Sequence, residues 1–330
     1  MKKRKKKRMT FKVYLGESLS TIKELIRTPD SQDIISDLWD RGSLLSGIEI
    51  CGIELDRVPI LIRDLPKLPE VEFNSVKPSV IFVGNETSYN AKASKKIDIQ
   101  RNWLLELSNG GKIPKKFFCW VFKDLRRRVG NKRIYDTLGK IELNNKKLKF
   151  LRYGTLNYDK LVNSLPLPYF MEKITPKPYT NTLHYKLDYV SLLIEIALAK
   201  YEMEEYTIIY VGRSNIVPHT IALIPLTHLN NELPQGHTLI YSITSMKRPY
   251  SSYKGEYTDR LISDIRKLGL QDMKFICRKL IFEKYGFLGP ANHELEDLIN
   301  FLKDHDIELI GRLGTWKELS ISDILNHTSV

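Results

Sequence analysis

The sequence predicts an α/β protein built on a parallel sheet. The first forty residues read strand, turn, helix, strand, which is the opening of a βαβ unit. Later in the chain, strands again alternate with amphipathic helices, as in "NHELEDLINFLKDHD" followed by "IELIG". Composition is that of a globular body, with 42% hydrophobic and 28% charged residues over 330 positions. That length suits two modest domains or one large one.

The elements follow in order. "TFKVYLG" is a short strand ending at Gly16. In "SLSTIKELIRT", Leu19, Ile22, Leu25 and Ile26 recur at helical spacing, Ser18 is placed to cap, and Pro29 and Asp30 stop the helix. Ile34 and Ile35 centre the second strand. "GIEICGIEL" has hairpin character with a Cys-Gly turn, and "VPILI" and "SVIFVGN" are further strand candidates. A helical portion is expected near Ile99–Leu107, and two strands joined at Asn144–Asn145 lead to a third that stops at Pro166. "YVSLLIEIALAKY" is core, too short and too charged to cross a membrane. "EEYTIIYVG", "HTIALIPL" and "HTLIYSITS" are strands, and "EYTDRLISDIRKLG" is an amphipathic helix.

Charge is uneven. Of the net +13, seven charges sit in the run Lys2–Arg8, leaving +6 for the rest. The run is either a solvated tail or an electrostatic grip on nucleic acid or another anionic surface. A second basic run, Lys123–Arg133, follows Phe117, Phe118, Trp120 and Phe122, which suit a buried strand or helix face better than a base-stacking platform. Cys51, Cys119 and Cys277 lack metal or redox spacing and read as isolated buried thiols in a reducing cytoplasm. The histidines are scattered, so no metal site is expected. No nucleophile elbow, P-loop or paired-carboxylate motif is visible.

Three segments together resemble the superfamily of FAD-dependent amine oxidoreductases, which includes UDP-galactopyranose mutase and protoporphyrinogen oxidase. "YDKLVNSLPLP" (158–168) looks like its YD-x-LI-x-T-x-PLP element. "GRLGTWKELSISDIL" (311–325) is similar to its C-terminal GRLG-x-W/Y-K/R element along the flavin. "LPQGHTLIYSITS" (233–245) resembles a substrate-domain strand. The resemblance implies a Rossmann-like FAD/NAD(P)-binding domain with an inserted mixed α+β substrate domain. The implied division is a basic disordered tail over 1–9, a nucleotide domain over 10–85, 134–168 and 300–330, and a substrate-type domain over 86–133 and 169–299.

The resemblance also places a dinucleotide fingerprint after the first strand, where only Gly16 of three glycines survives. Ser18 puts a side chain where backbone should approach a pyrophosphate, and Thr21 thickens the helix against the sheet. Glu17 adds a negative charge that partly opposes the helix dipole. The implied cofactor-binding set is Gly16, Ser18, Thr21, Asp37 at the ribose with Asp40 second, Gly42, Gly311, Arg312, Ser322 and Asp323. Arg312 and Tyr285 are the implied substrate-binding residues, while Trp316 is core. Arg312 as a surface salt bridge and Tyr285 as a structural tyrosine are the plainer alternatives. Two functions remain open: an FAD-dependent oxidoreductase or mutase acting on a small molecule, or a non-catalytic member that lost FAD and serves as a binding or regulatory subunit of an intact paralogue. A dedicated nucleic-acid-binding protein rests on charge alone.

Overall fold

The computed structural model describes residues 11–28, 33–37, 43–63, 71–94, 97–178, 187–229, 235–246, 260–292 and 294–326. The basic run Lys2–Arg8, Pro29, Asp30, Asp40 and Gly42 lie outside them. In chain order, β1 is Lys12–Leu15, α1 Leu19–Arg27, β2 Ile34–Asp37, β3 Ile48–Ile50, β4 Ile53–Leu55, β5 Phe73–Val76 and β6 Ser79–Val83. Next come α2 Glu86–Ser94, α3 Trp103–Glu106, β7 Gly111–Pro114, α4 Phe118–Arg128, β8 Lys132–Tyr135, β9 Leu138–Glu142 and β10 Lys147–Phe150. Then β11 is Thr155–Asn157, β12 Lys160–Asn163, α5 Leu167–Lys173, β13 Ile174–Thr175, β14 Leu187–Lys200, β15 Thr207–Val211, β16 Thr220–Pro225 and β17 His237–Ser245. The chain continues with α6 Arg260–Lys267, β18 Lys274–Ala291, α7 Glu294–Asp304, β19 Ile307–Leu309, α8 Gly311–Gly314 and α9 Ile321–Asn326.

The expected βαβ opening forms. A parallel sheet runs β19-β12-β1-β2-β8, with Tyr14 paired to Val162 on one side and Ile35 on the other. Val13, Tyr14 and Leu15 are each at most 1% exposed, as a strand covered on both faces requires. Successive side chains serve opposite layers. Val13 and Leu15 join Leu161, Leu298 and Trp316 beneath α7, whereas Tyr14 joins α1 and the larger core. That larger core continues into a six-stranded sheet, β18-β14-β17-β16-β15-β6, so the two sheets share one apolar interior.

Several expectations change here. The strand at 79–83, assigned with residues 10–85 to the nucleotide unit, is instead the edge of the six-stranded sheet, parallel to β15. "VPILI" contributes only an isolated bridge at Ile62, and the helix near 99–107 is cut down to α3 and a short 3-10 turn. β18 runs eighteen residues through a stretch without a strand signature. The cysteines are not isolated: Cys51, exposed at the β3–β4 turn, is disulfide-bonded to Cys277 of β18, with Cα atoms 6.3 Å apart. Cys119 remains a free, buried thiol. The disulfide removes the cysteine argument for a reducing compartment. Among the described residues, no helix is long and apolar enough to cross a membrane.

Candidate functional site

Three loops leave the carboxyl ends of β1, β12 and β19 side by side and meet in one cavity of about 430 Å³. They contribute Gly16–Ser20, Ser164–Pro166 and Gly311–Leu313. β1 is flanked by β2 on one side and β12 on the other, so the cavity opens where the strand order reverses, the usual ligand crevice of such sheets. The opposite walls are Leu44, Leu45, Val58–Leu61, Trp103, Leu107 and the β18 residues Glu283–Tyr285. The lining is mostly apolar, with hydroxyls and charged heads at its ends.

Two glycines bring the backbones together. Gly16 has φ +93°, donates its N–H to Ser36 O at 2.7 Å, and an added Cβ would lie 2.5 Å from Ser164 Oγ. Gly311 has φ +70°, and an added Cβ would lie 2.9 Å from Ser20 Oγ. Ser18 caps α1, its Oγ accepting from Thr21 N at 3.2 Å, and no acidic side chain occupies the first turn of that helix. Thr21 sits outside the cavity lining: its buried hydroxyl donates to Gly16 O at 2.8 Å and lies 3.2 Å from Ser164 Oγ. Its bulk is therefore absorbed by hydrogen bonding within the turn.

The expectation for Glu17 is corrected. Its carboxylate is fully buried and meets Arg133 Nε at 2.6 Å, Arg126 Nη2 at 2.5 Å and the Tyr135 hydroxyl at 3.1 Å. One carboxylate thus meets two guanidiniums beside the start of α1.

Arg312 lines the cavity and is not a surface residue. Its Nε and Nη2 donate to Glu318 at 2.6 and 2.7 Å, and Nη1 and Nη2 donate to the carbonyls of Tyr285 and Gly286 at 2.9 and 3.0 Å. It thus ties the last motif to β18. Arg101, unmarked by any motif, is held bidentately by Glu106 and reaches Asp323 at 3.3 Å. Asp323 lies behind the lining: it accepts from Ser320 N at 2.7 Å and returns its own N–H to Ser320 Oγ at 3.0 Å, a reciprocal cap for α9. Burial works against its charge, but the Ser320 hydrogen bonds and Arg101 outweigh it and hold the carboxyl below the ordinary range. Ser322 is buried on the same helix, also outside the lining. Asp37 ends β2, with Tyr135 as its backbone partner on β8.

Tyr285 faces the cavity with its ring against Tyr189 at 4.8 Å and Trp316 at 5.8 Å, and Lys284 Nζ stands 5.1 Å from its centroid. Burial pushes its phenol up. Trp316 is fully buried, as expected of core. Glu283, absent from every motif, also lines the cavity. Burial raises its pKa although Arg57, 3.3 Å away, and Arg312 pull the other way. Among the described residues, no group of three or more His, Cys, Asp or Glu side chains could hold a metal ion.

No protein-family model matches the chain, and no curated protein matches it. Solved structures do. The chain is similar to reduced UDP-galactopyranose mutase, with a TM-score of 0.77 and 12% identity over 96% of this chain and 93% of that one. It is similar to a putative protoporphyrinogen oxidase from Exiguobacterium sp. 255-15, with a TM-score of 0.68 and 10% identity over 96% of each chain. Putrescine oxidase bound to putrescine gives a TM-score of 0.61 and 10% identity over 96% of each. The chain shares the fold of these structures, a mixed α/β architecture around a parallel sheet.

Proposed function

We propose that this chain is a flavin-binding protein of the amine oxidoreductase type, with the cavity at the carboxyl ends of β1, β12 and β19 as its cofactor site. The observation that carries this reading is the close approach of Gly16 to Ser164 and of Gly311 to Ser20 at the start of α1, next to an apolar chamber walled in part by the six-stranded sheet. Two backbones that tolerate no Cβ leave main-chain amides close to a ligand, and a helix start without acidic side chains suits a phosphate. The aliphatic walls, Leu44, Val58, Ile60 and Leu165 among them, suit a flat tricyclic ring and keep water from it. The residues thus fit the ring-and-phosphate half of FAD.

A bound flavin would supply electron and hydride transfer. The chain's own part is to place and proton-manage the ligands. Glu283, its carboxyl pushed up by burial, is the side chain best suited to hold or pass a proton at the cavity wall. Tyr285 offers a phenol and Arg312 fixes the backbone on which Tyr285 sits. The six-stranded sheet is the substrate-side unit in this reading, and the substrate is a small molecule entering beside β18.

The purified full-length chain should quench flavin fluorescence on titration and retain the flavin absorbance bands after gel filtration. A chain that stays colourless with excess flavin sinks the reading. It would leave the second one, a binding or regulatory subunit on a retired flavoprotein fold. That alternative draws on the way Arg101 and Arg312 are each clasped by a carboxylate instead of facing the cavity unopposed. The run Lys2–Arg8 would then add an anionic contact, and steep salt dependence lost on its deletion would mark it.

A further inference from the structure

The cavity lies on one side of Gly16, and a side-chain bridge stands on the other. In an open parallel sheet, a dinucleotide lies across the carboxyl ends of the strands, phosphates at the first helix and distal nucleoside over the second strand. Here β2 lies between β1 and β8. Tyr135, the last residue of β8, reaches across the end of β2 to Glu17 in the β1–α1 turn. Arg133 makes the same crossing from β8, and Arg126 meets Glu17 from α4. The bridge is anchored at its far end too. Arg133 donates to Val129 O at 3.1 Å, Asn131 O at 3.3 Å and Arg126 O at 2.8 Å. Arg126 also donates to the Tyr135 hydroxyl at 3.3 Å. Of these residues Glu17 lines the cavity, whereas Arg126, Arg133 and Tyr135 do not.

We propose that the site takes a flavin with a single terminal phosphate and excludes a dinucleotide, because the Glu17–Arg126–Arg133–Tyr135 bridge stands where the distal nucleoside would lie. Size agrees. A chamber of about 430 Å³ falls toward the small end of ligand pockets, which run from roughly 300 to 1,000 Å³. The changed fingerprint then belongs to a narrower ligand: Glu17 closes the distal end, while Ser18 and Ser20 keep hydroxyls at the phosphate end.

This inference rests on the flavin reading, and one experiment separates them. The full-length protein is titrated with riboflavin, FMN and FAD, following flavin fluorescence and absorbance. FMN should bind about tenfold or more tightly than either of the others, and excess AMP should not compete. FAD binding as tightly as FMN, or AMP competing with FMN, overturns the inference and leaves the flavin reading standing. Riboflavin matching FMN overturns it too, since no phosphate would be held. Failure of all three flavins overturns both. Tyr135 is 42% exposed, so Tyr135→Ala opens the bridge with little risk to folding, which a thermal melt checks. That variant should improve FAD binding about fivefold or more with FMN unchanged, and an unmoved ratio removes the bridge as the barrier.

Discussion

At the residue scale, Asp56 links burial to pH. Its carboxylate accepts Phe118 N at 2.9 Å and Cys119 N at 2.7 Å, capping α4 from a distant loop. Burial pushes its pKa up to about 6 even though both amides favour the charged form. The folded chain therefore holds this proton more tightly than the unfolded chain, whose Asp titrates near 3.9. Between those values the native state binds more protons, so stability from this group is full below about pH 4 and is lost as pH rises through 6. Relative to Asp56→Asn, the wild type should lose about 2 kcal/mol on going from pH 4 to pH 7. Guanidinium unfolding of both proteins at the two pH values measures this. A difference that stays constant would show that Asp56 does not titrate in that window. The residue scale is also where sequence reading reaches least far. Glu17 is visible as an acid in a fingerprint, and Arg126 and Arg133 as part of a basic run. That two of those arginines turn inward onto Glu17 depends on α4 packing against α1 and β8 pairing with β2, which bring together residues more than a hundred positions apart in sequence.

At the scale of elements, α1 is set by its first residues. Ser18 supplies the cap, and Leu19, Ile22 and Leu25 bury one face as the spacing predicts, whereas Ile26, expected with them, is 38% exposed. Replacing the cap separates its two roles. Ser18→Ala should cost about 1 kcal/mol, whereas Ser18→Gly should cost only about 0.3 kcal/mol, because glycine is itself tolerated at an N-cap. Urea denaturation resolves the two. Equal losses would mean that the hydroxyl caps nothing of consequence. Helices and hydrophobic strands such as β14 are legible because their apolar period is regular. β18 is not. Lys274, Arg278, Lys279, Glu283 and Lys284 break its apolar alternation, and three irregular pairings with β14, at Leu187–Tyr189, Val190–Leu192 and Leu198–Ala199, shift its phase. Gly286, where an added Cβ would lie 2.2 Å from Leu192 Cγ, instead allows close approach of the two strands. Those same features put Glu283 and Tyr285 on the cavity wall, so the unread strand carries the unread part of the site.

At the scale of the whole molecule, the walls of the cavity come from distant parts of the chain and need a seam. The β3–β4 hairpin runs into Val58–Leu61, and β18 runs into Glu283–Tyr285. Three contacts join them: the Cys51–Cys277 disulfide, the Arg57–Glu283 ion pair at 3.3 Å, and Lys279 Nζ donating to Glu49 O at 3.3 Å. The lysine contact is exposed and contributes little. The ion pair is partly buried, but its distance is long for a strong charge-assisted bond. The disulfide closes a loop spanning 226 positions, so its restriction of the unfolded chain outweighs the other two. Cys277→Ser should lower stability by about 2–4 kcal/mol. Thermal melts with and without a thiol reductant make the check. Reductant should lower the wild-type midpoint and leave the variant unmoved, because Cys119 has no partner to lose. A wild type indifferent to reductant would mean that the seam is held by packing of the hairpin on β18, and the walls would then keep their spacing with the sulfurs apart.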